Sequence, residues 1–249
     1  MTDVSKVGAF KVWLVTACSS GFGKEIVLAA LARGDRVIAT ARDASKLQDL
    51  VVQGARALML DVTATAFLLG GAIEECSDEE AYQQFNTNAF GALRMLRAVL
   101  PHMRAKRSAG LTLALRAELE PFGIEVTIIE PGSFRTAILS KGFSPMKNSI
   151  PDYLPTTKPL HDHVTSVNAQ ETKEKQPGDP AKGAQIIIEV LTKTGRCAGK
   201  TIPSRMLLGK DAVRVGDAVL QYKQTVVNLT TGQCWHPRQT TFPTMPTCK

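Results

Sequence analysis

Residues Lys11 to Asp61 read KVWLVTACSSGFGKEIVLAALARGDRVIATARDASKLQDLVVQGARALMLD, and the order of residue types in this stretch decides the fold. Lys11 to Thr16 is a short apolar, β-branched run, which predicts a buried parallel strand. Lys24 to Arg33 sets Ile26, Val27, Ala30 and Leu31 on one face at helical spacing, and Gly34 with Asp35 stops that helix. Arg36 to Thr40 predicts a second strand, Asp43 caps a helix reaching Val52, and Ala57 to Leu60 predicts a third strand ending at Asp61. Strands alternating with helices of this length predict the α/β class, with βαβ units, a parallel sheet and right-handed crossovers. Between the first strand and its helix lie Thr16, Ala17, Cys18, Ser19, Ser20, Gly21, Phe22 and Gly23. Small residues there let the backbone approach a pyrophosphate, at which the helix aims its free N–H groups and positive dipole end. The unit is therefore expected to bind a dinucleotide; the plainer reading is a tight turn that only joins strand to helix.

Downstream the period changes. From Asp78 a long helix carries Tyr82, Phe85, Ala89, Leu93, Leu96, Leu100 and Met103 at spacings of three and four, so one face of it must be buried. Leu111 to Phe122 is helical again, and Glu125 to Glu130 predicts another strand before Pro131 and Gly132. Lys141 to Gly178 is rich in Pro, Ser, Thr and Lys and predicts a long surface loop or partly ordered lid. Asp179 caps a helix with Pro180 at its first position and Ala184, Ile187, Ile188 and Leu191 as its stripe. Ser204 to Leu208 predicts a last strand and Asp211 to about Gln224 a last helix. The expected organisation is one domain over residues 1–227, followed by a disordered tail over 228–249.

The chain has 249 residues, 44% of them hydrophobic, enough for a sizeable core, and the apolar runs are too short to span a bilayer. No leader is recognised, so a cytoplasmic, membrane-free protein is expected. Five scattered cysteines without CxxC spacing signal neither a disulfide framework nor a metal site. The net charge of +7 is spread along helices. Its densest cluster, Arg94, Arg97, Arg104, Lys106 and Arg107, lacks interleaved aromatics, so a solvated helix face is preferred to a nucleic-acid surface.

TACSSGFG resembles the TGxxxGxG turn of the classical short-chain dehydrogenases/reductases, with Ala17 where that family usually has its first glycine. The resemblance implies a Rossmann-type doubly wound parallel sheet and a nicotinamide cofactor bound by Thr16, Cys18, Ser19, Ser20, Gly21, Phe22 and Gly23. Ala17 is a mild departure if its φ is negative and a strained one if φ is positive. An NAD-type site places a carboxylate after the second strand, whereas this chain has Thr40, Ala41 and Arg42 there. Arg42 suits a 2′-phosphate and Lys24 adds positive charge, so NADP(H) is expected. The plainer role for Arg42 is a surface arginine paired with Asp43 or water. Asp61 resembles the family aspartate that binds the adenine amino group. Asn88, in NTNAFG, resembles the asparagine that bends the fourth helix and holds a relay water. Pro131, Gly132 and Thr136 resemble the segment that touches the nicotinamide carboxamide.

The resemblance fails at the chemistry. Protonating a reduced carbonyl needs an acid of lowered pKa, for which the family uses a tyrosine with a lysine four residues later. Tyr82 is followed at that position by Asn86, Tyr153 by Thr157 and Tyr222 by Val226, so no such pair is present, and the resemblance leaves Asn88 alone as a candidate remnant of the relay. The family's fifth strand, serine, tyrosine and lysine are missing between RAKRSAG and LTLALRAELE, and its fourth strand and NNAG turn between LDVTAT and LLGGAIEE. Each loss is on the order of 30 residues, one strand-plus-helix unit. The sheet is thus expected to be incomplete, lacking central strands four and five. Asp78 to about Glu120 is expected to run as one long helix, and exposed strand edges predict marginal stability or dependence on a partner. Three functions compete: an NADP(H)-dependent oxidoreductase acting on an alcohol or ketone, perhaps from secondary metabolism, in an impaired, shortened chain; a non-catalytic NADP(H)-binding or partner-binding module; and a redox or metal protein using Cys234 and His236. A homo-oligomer is left open.

Overall fold

The computed structural model describes residues 10–61, 68–106, 119–138, 142–168 and 176–231. Strand β1 (Val12–Val15), helix α1 (Gly21–Ala32), strand β2 (Arg36–Ala41), a short turn of helix at Ala44–Leu47 continued by α2 (Gln48–Val52), and strand β3 (Arg56–Met59) follow the expected order. The three strands form a parallel sheet in the order β1-β2-β3, with Trp13 opposite Val37 and Ala39 opposite Ala57. Val15, Cys18, Val27, Ala30, Val37, Ala39, Ala41, Leu47 and Leu50 bury one face of this sheet beneath the helices. Each apolar Å² removed from water in this layer contributes roughly 25 cal/mol to stability.

Strand β4 (Leu68–Gly70) leads to helix α3 (Asp78–Phe85), a π-helical turn at Asn86–Phe90 and helix α4 (Gly91–Lys106). Strands β5 (Ile128–Pro131) and β6 (Phe143–Pro145) and helices α5 (Leu154–Asn168) and α6 (Pro180–Thr192) come next, then strand β7 (Arg205–Leu208) and helix α7 (Lys210–Thr231). Two further parallel pairs, β4-β6 and β5-β7, stand apart from the main sheet, so among the described residues β1 has a neighbour on one side only. Helix α6 links the separated parts: Ile188 lies in the core of the main sheet, and adjacent Ile187 packs with Phe134 and Leu208 of the β5-β7 region. Gly183 makes this approach feasible, because a Cβ there would lie 2.8 Å from the Phe22 ring and 2.9 Å from the Phe134 ring.

Several expectations are corrected. The segment 141–178 is not one long loop: β6 and the fifteen-residue α5 lie within it. Its proline content hid the helix, since Pro159 sits inside α5. Helix α7 continues to Thr231, past the expected start of the tail, and residues 232–249 lie outside the described residues. A single rod from Asp78 to Glu120 is also overturned. It would carry Leu119 about 24 Å beyond Met103, yet Leu119, Ile124 and Val126 share one cluster with Leu100 and Met103. Most of Leu111 to Phe122, residues 111–118, lies outside the described residues; Glu120–Phe122 is a short 3-10 turn.

Candidate functional site

The turn from Thr16 to Ser20 sits at the carboxyl end of β1, beside the ends of β2 and β3, because all three strands are parallel. Cys18 fastens it: its N–H donates to the Thr40 carbonyl (2.9 Å) and its Sγ–H to the Val15 carbonyl (3.1 Å). Thr40 Oγ1 donates to the same Val15 carbonyl. Burial pushes the Cys18 thiol up to about 11, against a smaller lowering by the Thr40 backbone, so Cys18 is a packing residue and not a nucleophile. Gly23 lets the helix sit down on the turn, since a Cβ there would be 2.5 Å from the Ala17 carbonyl oxygen and 2.8 Å from that of Thr16.

The first turn of α1 contains no acidic residue, and Ser20 at its cap makes no side-chain hydrogen bond to it. These N–H groups and the dipole end therefore remain available to an anion. Ala17 has φ of 56°, in the left-handed region. A side chain there stores about 1 kcal/mol or more of strain, so the departure from the expected glycine is the strained kind. Ala17→Gly is accordingly expected to stabilise the chain by about 1 kcal/mol, raising the urea midpoint with an unchanged slope; an unchanged or lower midpoint would count against the strain.

Arg42 follows β2 at the same edge, is exposed, and forms no ion pair among the described residues. Asp43, its expected competitor, instead accepts from the N–H and hydroxyl of Ser45 and lies 3.9 Å from Lys46. Lys24 is corrected: its ammonium pairs with Asp49 on α2, so its charge is already engaged. Asp61 lies just beyond β3 and is exposed.

Sequence-distant pieces meet here. Thr136 packs against Gly21, where a Cβ would lie 3.4 Å from that of Thr136. The Phe22 and Phe134 rings meet edge to face at 4.8 Å between centroids. Pro131 and Gly132, at the end of β5, are held by Asp211 of α7, whose carboxylate accepts from the Ser133 N–H. That bond holds the Asp211 carboxyl below the usual range. Phe134, Gly183 and Asp211 were not legible as site residues, since each acts through a contact with a distant element.

Asn88 lies in the π-helical turn between α3 and α4, exposed to solvent. Arg94 of the basic cluster serves this turn, donating to Asn86 Oδ1 at 2.9 Å. A second constellation ties the segment after β6 to the start of α3 and the turn before it. The Glu75 carboxylate accepts from the N–H groups of Ala72 and Ile150, and Glu80 accepts from Ser77 and from the N–H of Lys147. These bonds hold both carboxyls below their usual range. The Ser77-x-x-Glu80 capping box was the readable signal for the second. Tyr153 donates its hydroxyl to Glu74 at 2.8 Å; that bond and the carboxylate charge raise the phenol pKa, the opposite of what a proton donor to an oxyanion needs. Among the described residues no group of three or more His, Cys, Asp or Glu could hold a metal ion, and no helix is long and apolar enough to cross a membrane.

No family model matches the chain. It is 30% identical to an uncharacterised oxidoreductase, YusZ, of Bacillus subtilis (strain 168), over 74% of this chain and 85% of the relative. It is 26% identical to a 3-ketodihydrosphingosine reductase of Bacteroides thetaiotaomicron, over 85% of this chain and 96% of that one. Among solved structures, a short-chain dehydrogenase from Streptomyces avermitilis superposes with a TM-score of 0.74 at 31% identity, covering 90% of this chain and 97% of the other. The YusZ alignment runs over 247 positions but draws on 74% of a 249-residue chain, about 184 residues. Roughly 60 of its positions thus have no residue of this chain opposite them, the scale of two strand-and-helix units.

Proposed function

Because the chain belongs to the short-chain dehydrogenase/reductase family of oxidoreductases, we propose that it binds NADP(H) on the Thr16–Gly23 turn and that its carbonyl/alcohol chemistry is impaired. The observation that carries the cofactor reading is the start of α1, with no acidic residue in its first turn and no side-chain cap bond from Ser20, together with an exposed Arg42 that forms no ion pair among the described residues. The helix start takes the pyrophosphate, and Arg42 takes the 2′-phosphate as a charge-assisted partner. Asp61 reaches the adenine, while Pro131, Gly132 and Thr136 border the nicotinamide end. Bound NADPH supplies a hydride for a ketone. The chain would have to supply the proton, and its described tyrosines offer no lysine-assisted donor. The reductase named among the relatives acts on a ketone, which supports a ketone or secondary alcohol as the ancestral substrate class.

Titration by tryptophan fluorescence is expected to show NADPH binding at least tenfold tighter than NADH. Arg42→Ala should remove about that factor, about 1.4 kcal/mol, from NADPH alone. Equal affinity for the two cofactors, or an Arg42→Ala variant that still prefers NADPH, would exclude the 2′-phosphate role. NADPH oxidation with a panel of ketones should not exceed the rate without substrate. Turnover above that background would favour the second reading, an active oxidoreductase, and would require a proton donor other than a tyrosine–lysine pair.

A further inference from the structure

We propose that Arg135 is a positioning residue for the nicotinamide half of the cofactor, an inference that rests on the NADP(H) reading of the Thr16–Gly23 turn. The half that carries the 2′-phosphate is assigned to Arg42, after β2. The other half leaves the pyrophosphate on the side of the strap Ser133–Thr136, whose Thr136 packs on Gly21 at the start of α1. This strap is held by bonds to distant segments. The Asp211 carboxylate accepts from the Ser133 N–H. The Ser133 carbonyl accepts from the Gly178 N–H, and the Arg135 N–H donates to the Gly178 carbonyl, both at 3.0 Å. Gly178 permits this pairing, since a Cβ there would lie 2.5 Å from the Phe134 ring and 2.7 Å from the Ser133 carbonyl oxygen. The Thr136 N–H then donates to the Phe134 carbonyl at 2.7 Å, closing a three-residue turn that ends with Thr136 on Gly21.

The Arg135 side chain adds a second grip on the same neighbouring segment. Its Nη1 donates to the Gln176 carbonyl at 2.9 Å, and its Nη2 lies 3.7 Å from the Asp179 carboxylate. One planar guanidinium thus reaches both ends of residues 176–179, which a lysine ammonium cannot do with the same geometry. Asp179 is itself fixed, because its other oxygen caps α6 through the N–H groups of Ala181 and Lys182. Residue 135 is therefore tied through its N–H and its side chain to a segment anchored on α6, and Thr136 is the next residue in the chain. The arginine is exposed and belongs to no core cluster, so its removal leaves the packing of Phe134 on Phe22 and Ile187 in place. What it removes is the brace that fixes Thr136 in advance. A strap already fixed needs no further ordering when the nicotinamide half docks against it, and that saving appears as affinity.

The test is isothermal titration calorimetry of the full chain with NADPH and with adenosine 2′,5′-bisphosphate, which keeps the adenine and the 2′-phosphate and lacks the nicotinamide half. The wild type is expected to bind NADPH about tenfold tighter than the bisphosphate or better. Arg135→Ala should weaken NADPH about tenfold and leave the bisphosphate within about twofold, and Arg135→Lys should fall between the two for NADPH. The thermal midpoint of each variant should stay within about 3 °C of wild type, as for the loss of an exposed ion pair. A wild type that binds neither ligand would overturn the cofactor reading and this proposal with it. With both ligands bound by the wild type, three results would overturn the proposal alone: parallel weakening of both ligands by Arg135→Ala, as a general loosening would produce; an unchanged NADPH affinity in that variant; or a wild type that holds NADPH no tighter than the bisphosphate.

Discussion

Replacing Gly23 by Ala is expected to lower NADPH affinity at least a hundredfold and to destabilise the chain by about 2–3 kcal/mol. The added Cβ would meet the Ala17 and Thr16 carbonyl oxygens at 2.5 and 2.8 Å, distances that no real Cβ keeps. Both obstacles are backbone, so relief requires lifting α1 from the turn. That movement opens the core at Val27 and Ala30 and displaces the N–H groups proposed to hold the pyrophosphate. The two readouts separate the roles. A fallen urea midpoint with retained NADPH binding would leave the close approach structural only and place the cofactor elsewhere. An unchanged midpoint would contradict the packing itself.

Asp35→Ala is expected to cost about 2–4 kcal/mol, although the residue lies at the opposite end of β1 from the Thr16–Ser20 turn. The buried carboxylate accepts from the Lys11 N–H at 3.0 Å, from the Trp13 indole N–H at 3.0 Å and from Arg33 at 3.3 Å, tying the start of β1 to the α1–β2 turn. Alanine leaves two part-buried N–H donors without an acceptor. Burial alone would raise the Asp35 pKa; the three hydrogen bonds and the Arg33 charge outweigh it and hold the carboxyl below its ordinary value. The linkage sign follows from that lowered folded value: the contribution is fully present above the unfolded pKa of about 3.9 and disappears as pH falls through the folded pKa. The difference between wild type and Asp35→Ala in urea unfolding should therefore be constant from pH 7 to about pH 5 and shrink below pH 4. A pH-independent difference would mean that the ionised form is not the one that holds β1. Asp35→Asn, which keeps one acceptor without charge, should fall between the two.

How much of this was legible in the sequence follows from the range of the interactions. Lys11 to Asp61 determined its own fold, because apolar strands, a glycine turn and an amphipathic helix are local patterns and a βαβ unit leaves only one hand of connection. Asp179 with Pro180 announced α6 in the same way, and the missing tyrosine–lysine pair was a matter of counting four residues. The segment 141–178 was less legible, since prolines that mark loops in isolation are tolerated in α5. The relation between Gly21 and Thr136 was not legible at all, nor was the fastening of Ser133 by Asp211, because those partners are more than seventy residues apart. Ala17 shows the division most plainly: its identity was a question in the sequence, and only a φ of 56° made it a strained one. The sequence by itself determined a strand–glycine turn–helix–strand unit and showed that the chain has no tyrosine–lysine pair. Tertiary structure alone decided that α6 bridges the main sheet and the β5-β7 pair, because long-range packing depends on where elements meet.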